Sequence, residues 1–275
     1  MEALKAARQQ NIVKDADWVW IADVDEFLNI HVGDHTIPAL IAACKTPQAI
    51  SITFQFMANA GIEAFEDRPV IEQFVMTHNP DIWCGETAIE VKSLVRGDFP
   101  LGYYGAHRPF HNTRRAQDKQ PTWTDGSGRP VSRPFRNREN RRRIRAFPAK
   151  GARDLATLNH YALRSLESYL VKNDRGDVNR EHRAFDDSYW RERNDAAWHD
   201  RSITRHLVSL QAEIERLKTL PRVAELHDGA VRRHKARART LLQDDSYRAM
   251  ADALRRASPY PVAEAKLRAL IGMDT

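Results

Sequence analysis

The sequence predicts an α/β protein that ends in a mostly helical region. Three observations carry that class. An apolar run, "WVWIA", leads into a cluster of carboxylates at Asp23, Asp25 and Glu26. Several β-branched, alternating runs follow before residue 112, with one helix-like segment among them. Beyond residue 160, apolar residues recur at three- and four-residue spacing, as in "ITRHLVSLQAEIERLKTL".

Taken in order, residues 3–14 read as a helix leading into a strand at 18–22. "HTIPALIAAC" reads as a second helix, with Thr36 as its N-cap and Pro38 in its first turn. Strands are expected at 49–56, 69–78 and 87–96, then a short strand and loop in "LGYYGAHRPFHN". Residues 113–153 are rich in Arg, Pro and Gly and read as a long loop or insertion. A short strand at 155–160 turns into a helix near Arg164, which Gly176 stops. Helices at 186–197, 202–219, 221–240 and 245–256 complete the chain. The expected organisation is a core over 1–112, the basic stretch over 113–153, the rest of the core over 154–200, and a helical region over 201–275.

The 275 residues suffice for one large domain or a domain with an appendage. Only Cys44 and Cys84 are present, which excludes a disulfide scaffold and a Cys-rich zinc site and points to a reducing, cytoplasmic compartment. The first ten residues, "MEALKAARQQ", are polar and unlike a signal peptide, and no apolar run reaches bilayer length. The net charge of +6 is unevenly spread: Arg114 to Arg153 holds 13 Lys/Arg against three Asp/Glu. Such a stretch attracts anions, whether nucleic acid, acidic lipid, acidic glycan or phosphate, or is simply a solvated insertion.

A bare D-x-D carries little information, and the chain holds a second one at Asp15/Asp17 that lacks context. Asp23 and Asp25 differ in lying at the carboxyl end of an apolar strand, where open α/β sheets place ligands. Alternation puts Asp23 and Asp25 on one side and Val24 on the other. Two hard oxygen ligands suit Mg²⁺ or Mn²⁺; the bland reading is a carboxylate turn capping the strand. A second constellation, "LNHYALRSLESYLVKNDRG", sets His160 ahead of Arg164, Lys172 and Arg175. On a helix the eight-residue spacing of Arg164 and Lys172 puts them on one face, and a histidine beside such cations looks like a metal ligand next to a diphosphate clamp. Its alternative is a core-edge histidine and a solvated helix face.

Together, W-x-W-I-A-D-V-D-E-F-L, the K-S-L-V-R strand, A-H-R-P-F and N-H-Y-A-L-R-S-L-E-S-Y-L-x-K-x-x-R-G resemble bacterial glycosyltransferases of the family 2-like group, close to the D-x-D-E-F branch related to family 92. The resemblance spans roughly Asp17 to Asn194. It implies a GT-A-like, Rossmann-like mixed sheet with flanking helices, and metal-dependent sugar transfer from a nucleotide-sugar donor to a glycan or lipid-linked acceptor, with inversion. Carried over, Asp23, Asp25 and His160 would hold Mn²⁺ or Mg²⁺. Glu26 would orient neighbours or touch the donor sugar. Arg164, Lys172 and Arg175 would meet phosphate oxygens. Candidates for the catalytic base are Asp81, Glu86, Glu90 and His107, with Glu86 and His107 foremost, and Trp83 could stack on a sugar face. GT-A domains carry their first strands and most of the nucleoside pocket ahead of the D-x-D strand, yet only 22 residues precede Asp23 here. The expectation is therefore an N-terminally short domain with an exposed sheet edge. The setting implied is polysaccharide synthesis in the cytoplasm, with possible peripheral contact with anionic lipid at the inner membrane face.

Three rivals stand beside this. An aspartyl-phosphate phosphatase would want a small residue and Thr after the second aspartate, where Glu26 and Phe27 stand. A nucleic-acid or polyanion module built on 114–153 would need interleaved aromatics, which are sparse there (Trp123, Phe135, Phe147), so nucleic acid is not the expected partner. The third is a catalytically inactive glycosyltransferase homologue acting as a partner.

Overall fold

The computed structural model describes residues 2–80, 90–111, 120–136, 152–176 and 187–257. They form two compact units: Met1–Gln55 with Pro80–His160, and Phe56–Asn79 with Tyr161–Thr275. The chain is mixed α/β, with a curled mixed sheet and flanking helices. No helix among the described residues is long and apolar enough to cross a membrane.

The strands in chain order are β1 (Trp18–Trp20), β2 (Glu26–Ile30), β3 (Ala49–Phe56), β4 (Met76–Thr77), β5 (Val91–Arg96), β6 (Leu101–Tyr104), β7 (Pro109–His111), β8 (Trp123–Asp125), β9 (Ala156–His160) and β10 (Trp198–His199). The first unit holds a six-stranded sheet of order β1-β5-β3-β9-β2, with β8 pairing β3 off that path. β1 and β2 are therefore the two edges, and the expected exposed edge corresponds to a half-buried β1. β3 is buried along all eight residues because it lies inside the sheet. Its Ser51 is satisfied internally: the Oγ lies 2.7 Å from Ser93 Oγ and accepts from Trp123 Nε1 at 2.9 Å.

The expected helix at 3–14 is two short ones, α1 (Glu2–Ala7) and α2 (Asn11–Lys14). Between them, the Arg8 guanidinium donates to the carbonyl oxygens of Leu101 and Gly102. α3 (Ile37–Ala43) begins as predicted, with Thr36 Oγ1 accepting from the Ala39 N–H at 3.3 Å and a proline in the first turn.

Two expectations change. The predicted strand 69–78 is a single helical turn, α4 (Val70–Gln73), followed by the two-residue β4. Pro69, with φ fixed at −53°, accepts at its carbonyl from the Glu72 N–H at 3.1 Å and so closes a turn where an extended run was expected. The stretch 113–153, expected as a loop or insertion, contains β8, which pairs in parallel with β3 over Ala49–Ser51, and then α5 (Arg133–Arg136). Trp123 is 2% exposed and meets Phe99 and Phe135 edge-on, at centroid distances of 5.6 and 5.4 Å. Arg153 is buried too, and its guanidinium donates twice to the Phe54 carbonyl, at 3.1 and 2.7 Å, where β3 ends. Gly126 fits this close approach: a Cβ there would stand 2.8 Å from the Ala152 carbonyl oxygen and 2.9 Å from that of Ala156.

The second unit carries α6 (Leu166–Arg175), α7 (Asp187–Arg191), a 3-10 turn at Ser202–His206, α8 (Leu207–Lys218), α9 (Val223–Leu241) and α10 (Asp245–Arg256). β4 and β10 pair antiparallel within it. Its core gathers Leu166, Tyr169, Leu170, Trp190, Leu241 and Leu254. Ser165 caps α6, and Gly176, at φ 77°, ends it in the left-handed region.

Because Trp123 packs inside the first unit, Trp123→Ala is expected to cost about 3–5 kcal/mol. The urea midpoint checks this; an unchanged midpoint would return residues 120–136 to a dispensable insertion.

Candidate functional site

β1 ends at Trp20, and "IADVD" forms the turn that delivers the chain to β2. Two hydrogen bonds close it. The Glu26 N–H donates to the Asp23 carbonyl at 3.1 Å, and the Asp23 N–H donates to Glu26 Oε2 at 2.8 Å. Val24 at the tip is fully exposed, but the expected alternation does not apply, because β1 ends at Trp20 and Asp23 to Asp25 lie in the turn beyond it. Antiparallel pairing of β2 with β9 sets Glu26 directly opposite His160, so the two side chains share one face of the sheet.

The residue that organises this turn is Lys92 on β5. Its side chain is 2% exposed, and its ammonium donates to Asp23 Oδ2 at 3.0 Å and lies 3.3 Å from Glu26 Oε2. A lysine inside a buried strand requires a counter-charge, and the turn supplies two. The run "KSLVR" reads as a strand from its apolar residues, and that reading passes over its cation. The signal is present all the same: a lysine between Val91 and Leu94 has no reason to be buried without a carboxylate partner.

The two carboxylates respond differently. Burial would raise the Asp23 carboxyl, but the hydrogen bond and charge of Lys92 override it and hold the group below its usual value. Glu26, with a side chain 1% exposed, is pushed from 4.5 up to about 7 by burial. Lys92 and the Asp23 N–H pull it down without matching that push, and the charges of Asp23 and Asp25 add to the rise. Near neutral pH the ammonium therefore pairs with an ionised Asp23, while Glu26 is poised to carry a proton.

Asp25 faces the other partner. Its Oδ1 lies 3.7 Å from His160 Nε2, and the His160 ring stands edge-on to Phe54 at 4.8 Å between centroids. Among the described residues, no group of three or more His, Cys, Asp or Glu is placed to hold a metal ion. Asp25 Oδ1 and His160 Nε2 stand farther apart than the roughly 3 Å between adjacent ligands of a hard divalent cation held at ~2.1 Å, so the pair would have to close up to hold one. Asp23 enters that set only through the oxygen that Lys92 leaves.

The remaining candidates divide. His107 is half-buried between β6 and β7, with Nδ1 3.2 Å from the Val91 carbonyl oxygen and its ring 6.3 Å from Phe54. Glu90 offers its backbone carbonyl to the Phe54 N–H at 2.9 Å. Asp81, Trp83 and Glu86 lie outside the described residues. Arg164, Lys172 and Arg175 belong to the second unit. Arg164 precedes α6, in the left-handed region at φ 59°, so the helical spacing that would share a face with Lys172 does not apply. The Lys172 ammonium is engaged inside its own unit, donating to the Ala162 carbonyl at 2.8 Å and the Tyr189 hydroxyl at 3.2 Å. Arg175 stands exposed in the last turn of α6. No family model matches the chain, and a search of curated proteins finds no relative.

Burial of the Glu26 carboxyl makes the stability of the first unit pH-dependent. A carboxyl raised from 4.5 to about 7 stabilises the fold fully below pH 4.5 and loses that contribution as pH rises through about 7. The stability of wild type relative to Glu26→Gln is therefore expected to fall by roughly 2–3 kcal/mol between pH 5 and pH 8, read by urea unfolding. Lys92→Met leaves a buried carboxylate unpaired and should cost about 3 kcal/mol at pH 8, and less at pH 5, where Glu26 is protonated. Equal costs at the two pH values would contradict a protonable Glu26.

Proposed function

We propose that the first unit is the donor-site half of a GT-A-type glycosyltransferase, moving a sugar from a nucleoside-diphosphate sugar to a hydroxyl of a glycan or lipid-linked acceptor. The observation that carries the reading is the pairing of Asp25 with His160 at 3.7 Å beside Asp23, three potential ligands drawn from a D-x-D turn and a strand end that are 135 residues apart in the chain (160 − 25). A divalent cation bound there supplies positive charge where the departing diphosphate develops negative charge. Asp25 and His160 hold it from the sheet face. Lys92 fixes the Asp23 carboxylate and, with it, the shape of the turn. Glu26 braces the turn through the Asp23 N–H and presents a protonable carboxyl beside the cation. His107 and Glu86 are the proposed acceptors of the hydroxyl proton, as the resemblance implies, and inversion follows from the same source. The cytoplasm, with its reduced thiols and nucleotide sugars, is the proposed setting.

A second reading rests on a specific observation. Asp23 already has a counter-cation in Lys92, and Lys172 is spent inside its own unit. Both fit a homologue that keeps the D-x-D turn as structure and serves as a partner without turnover.

Calorimetric titration of the whole chain with UDP and GDP, each with and without Mn²⁺, separates the two. The first reading expects metal-dependent nucleotide binding that weakens at least about tenfold in Asp25→Asn and His160→Ala. Binding by neither nucleotide in a chain that unfolds cooperatively selects the second.

A further inference from the structure

The solvent face of α9 carries a run of cations, most of them without an ion pair among the described residues. From Val231 to Leu241 the helix holds Arg232, Arg233, Lys235, Arg237 and Arg239 and no Asp or Glu; its two acids, Glu225 and Asp228, lie nearer its start. Arg237 is clamped by Asp174, with Nε donating at 2.7 Å. The other four are exposed and make no ion pair among the described residues. The opposite face is committed to packing: Ala238 and Leu241 are buried, and the His234 ring lies 4.4 Å from that of Phe65.

Two features turn this from a solvated stripe into a surface. Arg232 and Arg233 fold back over Gly229. A Cβ there would stand 3.2 Å from Arg233 Nη1 and 3.9 Å from Arg232 Nη2, so two guanidinium groups converge on one notch in the helix. Like charges brought that close favour an anion between them, and guanidinium geometry suits phosphate oxygens. Leucines are also exposed at and beside the turn joining α8 to α9: Leu217 at the end of α8 by 39%, Leu220 in the turn by 43% and Leu226 in the first turn of α9 by 53%. Leu226 lies seven residues, two helical turns, before Arg233 and so on the same face. Exposed leucines beside unpaired arginines are the composition of a helix that lies in a membrane interface, the cations on headgroup phosphates and the apolar chains below them. A nucleic acid would call for aromatic side chains to stack bases, and Val223–Leu241 has none.

We propose that the exposed face of α9, with the leucine-bearing α8–α9 turn, docks on a bilayer of anionic phospholipid, a lipid phosphate sitting at the Arg232/Arg233 notch over Gly229. This surface is independent of the sugar-transfer reading. The whole chain is co-sedimented with vesicles of phosphatidylcholine, and of phosphatidylcholine with one third phosphatidylglycerol, at about 0.05 and 0.5 M salt. Wild type is expected on the anionic vesicles only. R232E/R233E is expected to weaken that partition about 30-fold or more, at about fivefold per charge removed. L220S/L226S should remove the part that survives high salt. K235E/R239E serves as the second charge variant should the first not fold, as judged by circular dichroism and cooperative unfolding. Equal partition of wild type on neutral and anionic vesicles overturns the proposal. So does full anionic binding by either folded charge variant, which would move the binding to other basic residues. Tighter binding to a single-stranded oligonucleotide than to anionic vesicles in the same salt would replace lipid with nucleic acid as the partner.

Discussion

A buried ammonium is the constraint on which the first unit depends. Lys92 sits in the interior of β5, where an uncompensated charge would cost several kcal/mol. Its compensation comes from Asp23 and Glu26, which close one turn between β1 and β2. Three stretches of chain are thereby tied at one point: the end of β1, the start of β2 and the middle of β5. The turn is then held from within by the bonds of the Asp23 backbone to Glu26, and the Glu26 carboxyl is held inside with it.

From that pinning follows a division of labour among carboxylates that stand within four residues of one another. Asp23 is neutralised by a fixed cation. Glu26 is driven toward its protonated form by burial. Asp25 is left to face His160, which the pairing of β2 with β9 brings to the same side of the sheet. Under the proposed function this arrangement would position a second, mobile cation and the phosphate oxygens that go with it. It also works as a purely structural device, since the buried charges are balanced without any ligand.

The second unit shows how differently a cation can be used. Lys172 is drawn inward by a carbonyl and a tyrosine hydroxyl, with its ammonium 5.0 Å from the ring centroid of Tyr189. Arg193 lies 3.8 Å from the centroid of the same ring. On α9, by contrast, four exposed cations make no ion pair among the described residues. Aromatic faces and carbonyls absorb the first group, and an external anion is the natural complement of the second.

The local signals of this sequence are strong where one residue settles the backbone. Thr36 capping α3, Gly176 ending α6 and the β-branched run of β3 are all legible in the residues themselves. Asp23, Asp25 and His160 are legible as candidate site residues because residue type alone limits their chemistry. Three things are not. The strand at Trp123 has one apolar residue in three, Trp-Thr-Asp, inside an arginine-rich stretch, and only its parallel partner β3 makes it a strand. The run at 69–78 has strand composition but one proline that closes a turn. The role of Lys92, and with it the split between Asp23 and Glu26, depends on burial and on distances between segments remote in sequence. By itself the sequence determined which groups could carry charge and, at Thr36 and Gly176, where a helix begins or ends, because those follow from single side chains. Tertiary structure alone decided which charges meet and which are taken out of water, because both are properties of the packed interior.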